Sequence, residues 1–323
     1  MDVSYTGALL AITGPTASGK TRKAVAAALR LDGEVISADS RQVYRGMDLG
    51  TGKDLAEYHP EGCRDVQYHL IDIRPAGYKY NLQEFLADYD QVELGIRDRG
   101  RVPVLCGGTG MYVEYALSGV RMPSIPEDPD LRKRLKEKSL DELASILGGM
   151  KRLHNTTDTD TRERAIRGIE IEEYYLRHPE QDRLRDRRNV RPVEHVLIAL
   201  DLDRDERRAR ISARLRRRLA EGMTAEVESL LDRGVSADDL IYYGLEYKFV
   251  TRYVIGQIGR ADMERGLETA IHQFAKRQMT WLRGMERRGF TIHWLPAVMP
   301  DDDFAAQAAE LLNQKNEQLC RIG

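Results

Sequence analysis

The sequence predicts an α/β protein: a three-layer core with a parallel sheet between helices, interrupted by a small helical insertion. Three observations carry that expectation. Apolar runs of strand length alternate with segments of helical periodicity. Two of those runs open into glycine-rich turns that lead into helices, and beyond residue 122 strand character gives way to prolines and then to densely charged sequence. The expected boundaries are residues 1–122 for the first part of the core, 123–190 for the insertion, and 191–323 for the second part of the core with C-terminal helices.

The first glycine turn sets the chemistry. Ala8 to Ile12 reads as a buried strand and Arg22 to Leu31 as a helix; between them stand Gly14, Pro15, Thr16, Ala17, Ser18, Gly19, Lys20 and Thr21. Glycine, four residues, then Gly-Lys-Thr is the pattern of a phosphate-binding loop, which makes the core P-loop-type. Backbone N–H groups at a helix N-terminus face an anion, Lys20 neutralises it, and Thr21 can hold Mg²⁺. The pattern leaves the phosphate compound open, because kinases, NTPases and transferases that release diphosphate all use this cradle.

Glu34 to Asp39 is a second short strand, ending in a carboxylate. Ligands of an open parallel sheet gather beyond the carboxyl ends of its strands, so Asp39 is a candidate base or metal partner near the loop. The other reading is an aspartate that caps a turn. Gly46 to Lys53 reads as a loop, with Lys53 either near the anion or solvated. His69 to Ile73 reads as a strand, its His69 structural and its Asp72 a second candidate for a place near Mg²⁺. Leu82, Phe85, Leu86, Tyr89, Val92 and Ile96 recur at helical spacing before Gly100. Val102 to Cys106 is another buried strand, and Gly107-Gly108-Thr109-Gly110 turns the chain into a helix through Leu117, where small residues admit a close ligand and Thr109 offers a hydroxyl.

Nine arginines meet seven acids between Arg162 and Arg191, which suits either a solvated helix or an RNA-facing surface. Glu194 to Leu200 returns to the sheet. Arg204 to Arg218 holds eight arginines against two acids on a helix whose buried face is Ile211, Leu215 and Leu219. Arg210 and Arg214 share a face and either meet a diphosphate or coat the surface. Helices are expected over Ala225 to Leu231, over Asp238 to Val254 with a break at Gly244, and over Asp262 to Arg283. The last of these interleaves Lys276, Arg277 and Arg283 with Trp281, a mixture suited to RNA phosphates and a stacked base. A strand from Phe290 to Leu295 and a helix from Asp301 close the chain.

With 50 Lys and Arg against 52 Asp and Glu, bulk charge does not point to nucleic acid; only local clusters do. Cys63, Cys106 and Cys320 lie far apart without CxxC spacing, which argues against structural zinc and disulfides and fits a reducing compartment. Neither a signal-peptide pattern nor an apolar run of membrane-spanning length is present. A cytoplasmic monomer that does not engage membranes is expected.

Six ordered blocks resemble the tRNA dimethylallyltransferase family, isopentenyl transferases that modify adenosine 37 beside the anticodon. They are Gly14 to Thr21, Ala38 to Asp48, Gly50-Thr51 with Lys53, His69 to Asp72, Gly107 to Tyr112, and Lys276 to Arg283. The resemblance implies transfer of a dimethylallyl group from dimethylallyl diphosphate to the exocyclic N6 of that adenosine, with diphosphate leaving. It implies Asp39 as general base, and Lys20, Mg²⁺ at Thr21 and Arg214 at the departing diphosphate, with Arg210 a secondary candidate. Ser40, Arg41 and Gln42 would hold the flipped base, with Thr109 near it. Arg132, Arg164, Arg167, Lys276, Arg277, Gln278, Trp281 and Arg283 would contact the tRNA. The chain departs from the family pattern in three places: Gly52 stands where alanine is common, Asp54 where proline is usual, and Gly244-Leu245-Glu246 where glycine, tyrosine and an RNA-facing cation are expected. Two other activities fit the loop: prenylation of free adenine nucleotides, against which the insertion and the Lys276 to Arg283 stretch count, and a kinase or NTPase with Asp39 or Asp72 on Mg²⁺.

Overall fold

A computed structural model describes residues 4–122, 125–153, 159–180 and 192–322. Pro123 and the arginines from 183 to 191 lie outside these residues. The first elements are β1 (Leu9–Thr13), α1 (Lys20–Leu31), β2 (Gly33–Ser37), β3 (Tyr44–Arg45), β4 (Tyr68–His69), β5 (Arg74–Pro75), α2 (Leu82–Asp98), β6 (Val102–Cys106) and α3 (Gly110–Leu117). Three helices follow, α4 (Pro129–Leu135), α5 (Leu140–Met150) and α6 (Arg162–Arg177). The sheet resumes with β7 (His195–Asp201), and α7 (Arg204–Ala220), α8 (Met223–Asp232), α9 (Ala237–Tyr243), α10 (Leu245–Val254) and α11 (Arg260–Arg287) precede β8 (Ile292–Pro296) and α12 (Asp301–Ile322).

Six strands form one sheet in the order β4-β2-β6-β1-β7-β8, every neighbouring pair parallel. β1, β2 and β6 are buried along their whole length, and β1 and β6 accordingly read as near-continuous apolar runs rather than alternating ones. Leu10 and Ile12 of β1 join Ala24 and Ala28 of α1 and Phe304 and Ala308 of α12 in one core cluster. Phe85 of α2 stacks on Tyr112 of α3 at 4.1 Å between ring centroids. A capping box of Asn81 and Glu84 starts α2. Parallel order places the carboxyl ends of β1, β2 and β6 side by side, so the phosphate loop, Asp39 and the Gly107 turn emerge on one edge.

The run from His69 to Ile73 is not a strand. Only Tyr68–His69 pairs, because Leu70 (φ 62°) and Asp72 (φ 57°) adopt left-handed backbone. Lys53 is neither at an anion nor solvated. It is 1% exposed, donates to the Tyr44 carbonyl at 2.8 Å, and pairs with Asp48 at 2.6 Å and with Asp72. Asp72 is thereby committed to a buried lysine rather than to a metal. Removing one partner of a buried pair leaves the rest uncompensated, so Lys53→Met is expected to lower unfolding stability by about 3 kcal/mol in a denaturant melt.

The chain divides into two compact units, Met1–Gly119 with Pro192–Gly323, and Val120–Arg191. Within the second, Leu131, Leu135, Leu143, Leu147, Ala165 and Ile169 from α4, α5 and α6 form a small core. Asp128 caps α4, with Pro129 in its first turn, and a Ser139–Glu142 capping box starts α5. No described helix is long and apolar enough to cross a membrane.

Candidate active site

The strand ends border a cavity of about 1080 Å³ in the first unit. Thr16, Ala17, Gly19, Lys20 and Thr21 line it, while Gly14, Pro15 and Ser18 complete the loop behind them. Because α1 begins at Lys20, the N–H groups of its first turn have no intrahelical acceptor and are available to an anion. The Lys20 ammonium donates to the Pro15 carbonyl at 2.8 Å. Burial pushes its pKa down to about 8, and the Arg214 charge adds to the effect against the opposing pull of Cys106, Asp39 and Glu57.

Asp39 lines the same cavity from the end of β2. Its Oδ1 accepts the Arg41 N–H at 2.9 Å, so the capping reading also holds, and no hydrogen bond is formed to Oδ2 among the described residues. The three residues that follow fix the turn and line the cavity. Ser40 donates its N–H to the Thr109 hydroxyl at 3.1 Å, and the Arg41 guanidinium lies over the Tyr243 ring at 5.6 Å. Gln42 accepts from the Ser37 hydroxyl at 2.8 Å and donates to the Gly52 carbonyl at 3.2 Å. The Gly107 turn packs so tightly on this strand end that a Cβ at Gly107 would collide with the Ala38 backbone.

Helix α7 supplies a cationic wall. Arg210, Arg214 and Arg218 recur every fourth residue along it, and all three line the cavity. Arg210 is paired with Glu206 at 2.5 Å. Arg214 binds Asp54 at 2.7 Å, and the buried Arg218 reaches the same carboxylate at 3.3 Å. Glu57 also lines the cavity, where burial, aided by the Asp54 charge, pushes its carboxyl up to about 7. Glu246 is another lining residue, its carboxyl raised by burial and opposed by Arg218 and Arg214. It stands in the cavity wall rather than on an RNA-facing surface, contrary to expectation. Sequence reasoning missed Arg218, Asp54 and Glu57; continuing the four-residue spacing of Arg210 and Arg214 would have found the first.

Helix α11 contributes two kinds of residue. Gln278, 8% exposed, accepts the Thr16 N–H at 2.8 Å and donates to the Gly108 carbonyl at 2.8 Å, so its amide ties the two glycine turns together. Both amide atoms are thus bonded to protein rather than presented to RNA. Arg277 and Trp281 line the cavity, and the buried indole N–H of Trp281 has no partner among the described residues. Lys276 and Arg283 are exposed and do not line the cavity.

In the second unit, Glu170 is 2% exposed and receives Arg132 through two bonds, at 2.6 and 2.9 Å, and Arg167 at 3.0 Å. Burial pushes the Glu170 carboxyl up, but the hydrogen bonds from Arg132 and Arg167 prevail and hold it below its ordinary range. Both arginines therefore serve the local fold. Arg164 is exposed and paired with Asp160 at 2.8 Å.

Among the described residues no group of three or more His, Cys, Asp or Glu could hold a metal. The Thr21 hydroxyl is among the hard-oxygen donors on the cavity wall and suits a divalent cation that arrives with a phosphorylated ligand supplying most of its oxygens.

Residues 42–285 match the family model of IPP transferase, and residues 7–64 that of isopentenyl transferase. The chain is 57% identical over 295 residues to tRNA dimethylallyltransferase 1 of Porphyromonas gingivalis, covering 91% of this chain and 96% of that protein. It is 56% identical over 295 residues to tRNA dimethylallyltransferase 2 of Bacteroides fragilis, covering 91% and 94%. The crystal structure of the full-length tRNA isopentenylpyrophosphate transferase from Bacillus halodurans matches with a TM-score of 0.69 at 30% identity, over 97% of this chain and 99% of that one. The similarity spans the phosphate loop, the Asp39 turn and α11 alike, and the chain belongs to the IPP transferase family.

Proposed function

We propose that this protein is a tRNA dimethylallyltransferase, which transfers the dimethylallyl group of dimethylallyl diphosphate to N6 of adenosine 37 and releases diphosphate. The observation that carries the reading is one cavity lined by the phosphate loop, by the Asp39 carboxylate and by Arg214. In the reaction the N6–C1 bond forms as the C1–O bond breaks, and the electron pair of that bond leaves with the diphosphate. N6 is a weak nucleophile because its lone pair is delocalised into the ring, so its proton must depart as the bond forms. Asp39 accepts that proton through Oδ2. Lys20, Arg214 and the N–H groups at the start of α1 hold the growing charge on the leaving group. Thr21 is the residue that would hold Mg²⁺, which when bound would screen the phosphates of the leaving group.

An adenine in an anticodon loop reaches Asp39 only by leaving its stack. Arg41 and Trp281 supply the cation and the aromatic face that receive it. Lys276, Arg277 and Arg283 on α11, and Arg164 on the insertion, face the tRNA backbone; Arg132 and Arg167 contribute with the guanidinium area their pairing with Glu170 leaves exposed. On this reading the protein works as a cytoplasmic monomer with tRNA and dimethylallyl diphosphate as its partners.

Incubation with labelled dimethylallyl diphosphate and either AMP or an anticodon stem-loop tests the proposal. Label is expected on the RNA alone; label on AMP alone would make the substrate a free nucleotide, and ATP turnover indifferent to dimethylallyl diphosphate would make the protein an NTPase. Lys276→Ala with Arg277→Ala is expected to weaken tRNA binding and to flatten its salt dependence by about two phosphate contacts, read as the slope of log affinity on log salt. Anion affinity is expected to fall as pH rises through about 8, where Lys20 loses its proton. The limiting slope is about tenfold per pH unit, and titration of inorganic diphosphate between pH 7 and 9 measures it.

A further inference from the structure

Two of the three departures from the family pattern, Gly52 and Asp54, touch the same pair of guanidiniums, and the third, Glu246, stands in the wall beside them. Gly52 has a φ of 67°, and a Cβ there would run into the guanidinium ends of both Arg214 and Arg218. Asp54 has a φ of 46°, a left-handed conformation closed to proline, whose ring holds φ near about −65°. The backbone at this position therefore differs from any that proline can take, and it delivers a carboxylate to Arg214 at 2.7 Å and to Arg218 at 3.3 Å. The loop that carries Asp54 is itself fixed. Glu226 accepts the N–H groups of Asp48, Leu49 and Gly50 at 2.8, 2.7 and 3.1 Å, and the Tyr247 hydroxyl at 2.6 Å. Lys53 anchors the same loop from the core side. A diphosphate seated on the phosphate loop thus meets an arginine that already holds a carboxylate.

We infer that Asp54 is an internal competitor for the diphosphate site. Its carboxylate occupies Arg214 in the free enzyme, gives it up when the donor binds, and takes it back as diphosphate leaves. The inference rests on the transferase reading above and adds to it a residue that sets diphosphate affinity and release.

Asp54→Asn removes the charge while keeping the shape, and asparagine tolerates the left-handed backbone. Inorganic diphosphate titrated calorimetrically into the intact protein is expected to bind the variant about tenfold more tightly, the size of one charge-assisted hydrogen bond released from competition. Steady-state prenylation of a stem-loop is expected to slow while the first turnover does not, since product release becomes limiting. Asp54→Gly, which also takes this backbone angle, must shift diphosphate affinity in the same direction, with thermal melts confirming that both variants are folded. Diphosphate binding unchanged or weakened in both variants overturns the inference and makes Asp54 a prop for the arginines. Wild-type protein that binds no diphosphate at all overturns the transferase reading, and the inference with it.

Discussion

Asp39→Asn is expected to lower the single-turnover rate of prenyl transfer by about 10²–10⁴-fold, the usual contribution of a positioned general base, with stem-loop affinity nearly unchanged. The substitution is close to isosteric, and its carbonyl can still accept the Arg41 N–H that Oδ1 accepts now, so the turn persists. What disappears is the acceptor at Oδ2, which becomes an N–H₂ donor facing the amine it should deprotonate. Rapid-quench turnover and a binding titration on the same preparation separate the two effects. A loss of affinity equal to the loss of rate would remove Asp39 from the chemistry and make it a base-binding residue.

Lys20→Met is expected to cost about 10²–10³-fold in kcat/KM for dimethylallyl diphosphate, comparable to the loss of one preorganised donor at a developing anion. RNA affinity should be untouched. The lysine contributes little to the empty loop, a single bond to the Pro15 carbonyl, and its lowered pKa shows that the site disfavours its charge until an anion arrives. Arg214→Lys is the informative companion. It keeps a cation but loses the guanidinium whose Nη2 reaches Asp54 at 2.7 Å and the Gly52 carbonyl at 3.5 Å, so an intermediate loss in kcat/KM is expected. Equal activity of Lys20→Met and wild type would move the anion away from the loop.

Most of the core was legible because parallel strands buried on both faces write themselves as unbroken apolar runs, and β1 and β6 each end in a glycine turn that the sheet brings to one edge. Lys20, Thr21 and Asp39 could be read for the same reason: each stands at a strand end or at the start of the helix after it. Buried charge was harder. Lys53 looks like a loop lysine, and only tertiary packing closes Tyr44, Asp48 and Asp72 around it. Left-handed backbone at Leu70 and Asp72 cut short a run whose composition suits a strand. The family pattern makes Glu246 the replacement of an RNA-facing cation, whereas in space it is coupled to Arg218 and Arg214 of α7. Arg132 and Arg167 showed as cations, but their shared partner, Glu170, is reached through the fold of the insertion rather than through spacing from Arg132.

The amide of Gln278 is the lock between the two glycine turns, and it does not titrate. Alkali that strips the proton from Lys20 weakens the grip on an anion yet leaves both bonds of that lock intact. The join between the two turns therefore persists as affinity falls, and returning the solution to neutrality restores capture without rebuilding it.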